Sequence, residues 1–83
     1  MPGIVETQIG KNGVTDNFMF TLENHFKDHK TVRVSVLKSA RGEGAEGKKI
    51  VKQYAEELVQ KLEGNYIYKI IGFKIILMKR KKG

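Results

Sequence analysis

The first half of the chain alternates between strand-like and helical patterns of apolar residues. Residues 4–9 (IVETQI) predict a first strand, because the glycines that follow continue a strand only at a cost. Thr15 is a typical helix N-cap, and the apolar residues after it recur at helical spacing, which predicts a helix to about His29. Residues 31–37 then alternate, with valines on one side, which predicts a strand covered on one face only.

The second half of the chain predicts a linker, a helix and a hairpin. Residues 38–47 are rich in glycine and are interpreted as a flexible connection. Residues 48–63 carry apolar side chains along one side of a predicted helix, which Gly64 ends as a C′ residue. Residues 66–71 and 73–78 are apolar and strand-length, and their tight connection at Gly72 indicates a hairpin.

The order of these elements, β-α-β-α-β-β, predicts an α/β fold of two layers. Right-handed crossovers place both helices on one face of a small sheet and leave the opposite face open. The side chains expected to face the helices are Val34, Tyr68, Ile70, Phe73, Ile75 and Leu77. The side chains expected on the open face are Arg33, Lys69, Lys74, Ile76 and Met78.

Length and composition narrow the class of protein. At 83 residues, 40% of them hydrophobic, we expect one domain over residues 1–83 with a packed core. The sequence contains no cysteine, so neither a disulfide framework nor a thiolate metal site is available. The apolar stretches are too short to span a membrane, and no signal peptide begins the chain, so we expect a soluble, cytoplasmic protein without a membrane partner.

The charge of the chain is unevenly distributed. The 16 Lys and Arg residues against 9 Asp and Glu give a net charge of +7, and the whole excess lies in residues 38–83. Such an asymmetry favours a polyanionic partner, whereas a lysine-rich surface that only aids solubility is the alternative. Residues 79–83 (KRKKG) form a basic end that we expect to be a flexible tail.

The loop of Gly10, Lys11, Asn12 and Gly13 is the strongest candidate for a binding site. It lies between a strand and a helix start, where backbone N–H groups and the helix dipole favour an anion. Glycines let a sugar-phosphate chain approach the backbone, and Lys11 adds a positive charge. KH domains clamp nucleic-acid backbone with a GxxG loop in this way, although a plain strand-to-helix turn remains the alternative interpretation.

Several segments together resemble the YhbY-like, or CRM-domain, family of RNA-binding proteins. They are, in order, VETQIGKNGVTDN, VRVSVLK, AEELVQKLEG and IGFKIILMKR, and the resemblance extends from Val5 to about Arg80. It implies the fold of the C-terminal domain of translation initiation factor three, with sheet order 1-2-4-3 and only the last strand antiparallel. It also implies that the GKNG loop contacts RNA, and that the partner is structured ribosomal RNA or a precursor of the large ribosomal subunit.

Basic residues of the second half are the further candidates for phosphate contact. They are Lys38, Arg41, Lys48, Lys49, Lys79, Arg80, Lys81 and Lys82. For Lys38 and Arg41, in the predicted linker, simple solvation is an equally good interpretation.

Other chemistries fit the sequence less well. Residues 42–47 match GxGxxG, but the first glycine comes several residues after the strand and two glutamates would face a pyrophosphate, so a linker is the better interpretation. His25 and His29 stand one helical turn apart, but a zinc site needs further ligands, so packing is favoured over metal binding. Carboxylates and hydroxyls are scattered, which predicts a protein without catalytic residues and without a cofactor.

Three functions remain at this point. We expect an RNA-binding protein that acts without turnover. The first alternative is an interaction adapter that docks proteins on the open sheet face at Ile76 and Met78. The second is a DNA-binding chromatin protein. Phe20, which projects away from the apolar side of its helix, is an ordinary exposed residue or a contact for a base or a partner. The oligomeric state does not follow from the sequence.

Overall fold

The structure, a computed structural model, describes residues 5–80. Within this range the strands are β1 (Val5–Ile9), β2 (Thr31–Val36), β3 (Tyr66–Ile71) and β4 (Lys74–Lys79). The helices are α1 (Asp16–Asp28), α2 (Lys38–Arg41) and α3 (Gly44–Lys61). The predicted strands and the first helix are confirmed to within one residue at each described end, and residue 4 of the first predicted strand lies outside the described residues.

The four strands form one sheet in the order β1-β2-β4-β3, which confirms the expected order. β1 is parallel to β2, and β4 is antiparallel to both of its neighbours, so β4 alone runs against the other strands. The carboxyl ends of β1, β2 and β3 therefore lie together where these strands end, and we call this end of the sheet the carboxyl edge. The amino ends of these three strands and the carboxyl end of β4 lie at the opposite end of the sheet, which we call the amino edge.

The core lies on one face of this sheet. Val32 and Val34 of β2 and Ile75 and Leu77 of β4 are fully buried there. The helices contribute to the same buried cluster with Met19, Leu22, Phe26, Val51, Ala55 and Leu58. Both long helices thus cover one face, as expected, and strand alternation places Arg33, Lys69, Lys74, Ile76 and Met78 on the other.

Helix α1 begins as its sequence indicates. The hydroxyl oxygen of Thr15 accepts a hydrogen bond from the Phe18 amide at 3.0 Å, which satisfies one of the unpaired N–H groups of the first turn. Asp16 adds a carboxylate at the positive end of the helix dipole. At the other end the His29 amide donates to the carbonyl of His25, and the backbone then becomes extended.

The glycine-rich connection is not a flexible linker, which corrects the prediction for residues 38–47. Its first four residues form helix α2, and α3 begins at Gly44, four residues before the predicted start at Lys48. Gly42 and Gly44 adopt φ values of 78° and 67°, a left-handed conformation that lets the chain turn between the two helices. Local turn formation therefore accounts for the first two glycines of the GxGxxG match.

The prediction of a flexible basic tail is corrected for its first two residues, Lys79 and Arg80. Lys79 is the last residue of β4, and its amide donates to the Lys30 carbonyl at 2.8 Å. The Arg80 amide donates to the Asn65 carbonyl at 2.7 Å. These two residues are held to the amino edge by their backbones, because the β4 pairing continues to the end of the described chain. Lys81 and Lys82 lie outside the described residues.

Candidate nucleic-acid interface

The GKNG segment forms a closed turn. The Gly13 amide donates to the Gly10 carbonyl at 2.9 Å, which leaves Lys11 and Asn12 at the tip. Of these four residues only Gly13 has a positive φ, of 68°, so Lys11 and Asn12 keep the negative values of a type I turn. Both tip side chains are exposed. The turn therefore projects one lysine and one amide into solvent, where neither contributes to the core.

Two residues support this turn from the side of the helices. Leu37 continues the pairing of β1 with β2, since its amide donates to the Ile9 carbonyl at 2.9 Å, next to the start of the turn. A Cβ on Gly13 would lie 3.6 Å from the hydroxyl oxygen of Tyr54 in α3. The same hydroxyl donates to the Ala40 carbonyl of α2 at 3.2 Å. Tyr54 thus joins the GKNG turn to helix α2.

The electrostatics at the turn are mixed. The amino end of α1 follows it directly, and the positive end of the helix dipole attracts anions. Asp16 lies in the first turn of the same helix and offsets part of that attraction. Lys11 supplies a full positive charge at the turn, so a phosphate there is favoured by the lysine more than by the dipole.

Lys38 and Arg41 lie beside the turn, in α2, but their side chains are used differently. Lys38 forms an ion pair with Glu43 in which both side chains are largely exposed. Such exposed pairs contribute little, roughly 0–1 kcal/mol, so Lys38 can exchange its partner for a phosphate at small cost. Arg41 is half-buried and donates from Nε to the Val36 carbonyl at 3.1 Å. Its main role is structural, and its contact with phosphate stays a prediction.

The candidate residues separate into two groups. Lys11 and Lys38 lie at the carboxyl edge, and Lys48 and Lys49 are exposed in the early part of α3, which begins there. Lys79 and Arg80 lie at the amino edge. A strand advances about 3.3 Å per residue, so the six-residue strands separate the two edges by roughly 17–20 Å. One phosphate contact region cannot include both groups.

Tyr54 was not identified from the sequence as part of this region. Its helical spacing marks it only as a core residue, and no pattern in the sequence connects α3 to the GKNG turn or to α2. Both contacts of Tyr54 join residues that are distant in the sequence, so they emerge only from the fold.

The open sheet face carries a small charge network beside apolar side chains. Nε of Arg33 lies 3.2 Å from a Glu6 carboxylate oxygen, and Nζ of Lys74 lies 3.8 Å from the same oxygen. Nε of Arg33 is buried and makes no hydrogen bond of good geometry within residues 5–80, so the contact with Glu6 is mainly electrostatic. The most exposed apolar residues of this face are Ile67 and Ile71 of the edge strand β3, whereas Ile76 and Met78 are half-buried.

His25, His29 and Phe20 are the remaining residues that the sequence indicates as candidates. His25 and His29 are half-buried, and residues 5–80 contain no group of three His, Cys, Asp or Glu residues placed to hold a metal. Phe20 is exposed, as the sequence predicts. In the same part of the chain, no helix has the length and apolar character needed to cross a bilayer.

Comparison with known proteins identifies a family for this sequence and fold. The profile of the CRS1 / YhbY (CRM) domain family matches residues 3–79. The fold is similar to the solution structure of a hypothetical protein from Staphylococcus aureus, described as a candidate RNA-binding protein, with a TM-score of 0.57. The two chains are 19% identical, and the alignment covers 92% of this chain and 71% of that one, so this likeness concerns the fold. No curated protein shows a significant sequence match.

Proposed function

Because this chain belongs to the CRS1 / YhbY (CRM) domain family, a family of RNA-binding domains, we propose that it binds RNA at the carboxyl edge of its sheet. The observation that carries this proposal is the GKNG turn, which holds Lys11 at an exposed tip between two glycines. It lies between the amino end of α1 and the basic helix α2. The protein acts by binding, without turnover.

The geometry supports contact with the RNA backbone rather than with base edges. Gly10 has no side chain and Gly13 gives the turn its positive φ, so a phosphate can approach the exposed peptide backbone at the tip. Lys11 and Lys38 then supply charge on either side, and Lys48 and Lys49 extend the basic surface along α3. Contacts of this kind position an RNA and carry little sequence information.

The RNA that we propose is structured ribosomal RNA, free or within a precursor of the large ribosomal subunit. The resemblance of the sequence to the YhbY-like, or CRM-domain, family implies this partner, and the net charge of +7 favours a polyanion in general. Crosslinking of the protein to RNA in its own cells, followed by sequencing of the attached fragments, tests this choice. Fragments concentrated in large-subunit ribosomal RNA are expected, and an even spread over cellular RNA would argue against this partner.

Replacement of Lys11 tests the site. We expect Lys11→Ala to weaken binding of structured RNA by about 1 kcal/mol, or roughly fivefold, and Lys11→Glu to weaken it more by repulsion. Lys69→Glu makes the same charge change on the open face, away from the turn, and serves as the matched control. Circular dichroism and thermal melting verify that each variant folds. If Lys11→Glu folds and binds as tightly as Lys69→Glu, the GKNG segment is only a turn.

A competition experiment and a substitution on the open face separate the other two functions. Unlabelled duplex DNA should displace a labelled structured RNA poorly, whereas efficient displacement would favour a DNA-binding protein.

The adapter function rests on Ile67 and Ile71, which are 41% and 57% exposed on the open face. Ile71→Ser removes exposed apolar surface without changing the charge, and it should leave RNA binding unchanged, because the Ile71 side chain lies on the open face, opposite to the helices beside the GKNG turn. Loss of RNA affinity in this variant would move the binding site to the sheet face.

A further inference from the structure

A cavity of about 630 Å³ opens at the amino edge, at the opposite end of the sheet from the GKNG turn. It lies between the end of α1, the start of β3 and the end of β4, and we call it the amino-edge pocket. Ligand-binding pockets in proteins typically measure roughly 300–1,000 Å³, so this one is large enough for a small ligand or for one unit of a polymer.

The inner wall of the amino-edge pocket is aromatic. The rings of Phe26 and Tyr66 pack edge to face, with their centroids 4.9 Å apart and their planes at 65°. Phe26 is almost fully buried, whereas Tyr66 is half-buried and presents part of its ring to the cavity. An exposed aromatic surface next to a cavity is the feature on which unstacked bases of single-stranded RNA pack.

The rim of the pocket is basic. Lys27, Lys30, Lys79 and Arg80 line it and are exposed, against the two acidic residues Asp28 and Glu63. Within residues 5–80, none of these four cations forms an ion pair. The rim therefore keeps an excess of positive charge available for an anionic ligand.

Three of these cations, Lys30, Lys79 and Arg80, lie on backbone segments that are joined by hydrogen bonds. The Lys79 amide donates to the Lys30 carbonyl, and the Arg80 amide donates to the Asn65 carbonyl, so the backbones on both sides of the pocket are joined. Lys79 is the register partner of Tyr66 across β3 and β4, which places its side chain on the same face as the Tyr66 ring. A cation and an aromatic surface thus lie next to each other.

The helix dipoles explain only part of the positive charge on the rim of the pocket. The carboxyl ends of α1 and α3 reach the amino edge, and the negative end of a helix dipole favours nearby cations. This accounts for Lys27, which lies in the last turn of α1. It does not account for Lys79 and Arg80, which end a strand.

We propose that the amino-edge pocket is a second nucleic-acid-binding site, which takes one nucleotide with its base against Tyr66 and its phosphate against Lys30, Lys79 and Arg80. This inference rests on the proposed RNA binding and extends it, because one RNA then contacts both edges of the sheet. The two contact regions lie roughly 17–20 Å apart. An RNA that contacts both must therefore be long enough, or folded in such a way, that two of its parts are separated by this distance.

Chemical-shift mapping by NMR on the isotope-labelled full chain locates the sites separately. The ligands are uridine 5′-monophosphate, a single-stranded oligouridine and a structured ribosomal RNA fragment. Bound RNA should shift resonances of Lys11 and Gly13 at the carboxyl edge, and of His29, Asn65 and Tyr66 at the amino edge. The mononucleotide should shift the second set at high concentration, because it contains both the base and the phosphate.

A charge-reversal series tests whether the pocket contributes affinity. Lys30→Glu should weaken RNA binding roughly fivefold or more, whereas Lys30→Arg keeps the charge and should change it less than about twofold. The Lys30 side chain is exposed and only its backbone carbonyl is used by the fold, so neither variant disturbs the strand pairing. Lys69→Glu again controls for the loss of total charge.

The outcomes distinguish the two proposals. Shifts confined to the carboxyl edge, with Lys30→Glu equal to Lys69→Glu, would overturn the pocket inference and leave the proposed function intact. Absence of RNA-induced shifts at both edges would reject the proposed function itself. Amino-edge shifts caused by the mononucleotide but not by RNA would overturn the inference in favour of a site for free nucleotides.

Discussion

The guanidinium group of Arg41 lies over the ring of Phe73, with its Cζ atom 3.5 Å from the ring centroid. Arg41 ends helix α2, and Phe73 lies in the turn between β3 and β4, so this contact joins two segments that are far apart in the sequence. Arg41 also donates to the backbone carbonyls of Val36 and Gly42. Together these contacts hold α2 against the end of β2 and the turn between β3 and β4.

Arg41→Ala should lower the free energy of unfolding by about 1–3 kcal/mol, because two hydrogen bonds and a cation–π contact are lost. Arg41→Lys should restore only part of this, since a single amine cannot lie flat on the ring and donate to both carbonyls. Urea unfolding of the three proteins measures the differences. Equal stability of Arg41→Ala and the parent would show that α2 is held by other contacts.

Gly47 is a glycine of α3 that cannot easily gain a side chain. A Cβ there would lie 3.0 Å from the Gly42 carbonyl oxygen and 3.3 Å from the Phe73 ring. Helix propensity alone favours alanine by roughly 1 kcal/mol, but overpacking costs about 1–3 kcal/mol. We therefore expect Gly47→Ala to destabilise the fold by up to about 2 kcal/mol in thermal or urea unfolding. Gln53→Ala, at an exposed position of the same helix, is the control, and a stabilised Gly47→Ala would contradict this packing.

The elements that the sequence predicts correctly are those determined by local patterns. The alternating valines of β2 determine which face is buried, and the Thr15 cap determines where α1 begins. The start of α3 was missed because glycine disfavours helices, so Gly44 and Gly47 indicated a linker. Contacts with Phe73, distant in sequence, override that preference.

In the candidate site, too, the sequence predicts the part that is continuous in the chain and misses the part that distant segments form together. The GKNG loop is a continuous segment, so its glycines and lysine are visible in the sequence. The amino-edge pocket was missed because Phe26, Lys30, Tyr66 and Lys79 come from four separate parts of the chain. Only the pairing of β4 with β2 and β3 brings them together. The sequence identified Lys79 and Arg80 as basic, but it did not place them at the end of the sheet opposite to Lys11.

The raised pKa of Tyr66 predicts that the stability of the fold decreases at alkaline pH. Burial, and to a lesser extent the negative charge of Glu23, raises the pKa of the Tyr66 hydroxyl above its ordinary value of 10.0. The folded protein therefore binds this proton more tightly than the unfolded chain does. The resulting stabilisation is present below about pH 10 and is lost as the pH rises through the higher folded pKa.

Tyr66→Phe removes this titration, so its stability should decline less steeply than that of the parent above about pH 10. Every other titratable group is present in both proteins, so the difference between the two curves isolates Tyr66. Urea unfolding at a series of alkaline pH values provides the measurement. Parallel curves would mean that Tyr66 has the same pKa in the folded and unfolded states.

The proposed backbone contacts predict that RNA affinity falls steeply with salt. Each neutralised phosphate contributes a slope of roughly 0.7–0.9 in a plot of log affinity against log salt concentration, so about four contacts give a slope near three. Lys11→Ala should reduce the slope by about one contact, whereas Lys69→Ala should leave it unchanged. Filter binding from low to physiological salt measures both. A flat series would show that contacts other than phosphates supply most of the affinity.

Two truncations separate the structural from the binding role of the basic end. Removal of residues 79–83 eliminates the hydrogen bonds from the Lys79 amide to Lys30 and from the Arg80 amide to Asn65, so it should destabilise the fold by about 1–3 kcal/mol. Removal of residues 81–83 keeps both bonds and should leave the melting temperature nearly unchanged. The shorter truncation still removes two lysines, so it should weaken binding of different RNAs by the same factor, because lysine contacts to phosphate do not discriminate sequence. Equal melting temperatures of the two truncated proteins would mean that the last residues of β4 add nothing to the stability of the sheet. If removal of residues 81–83 weakened the binding of one RNA alone, Lys81 and Lys82 would have a role in reading the RNA sequence.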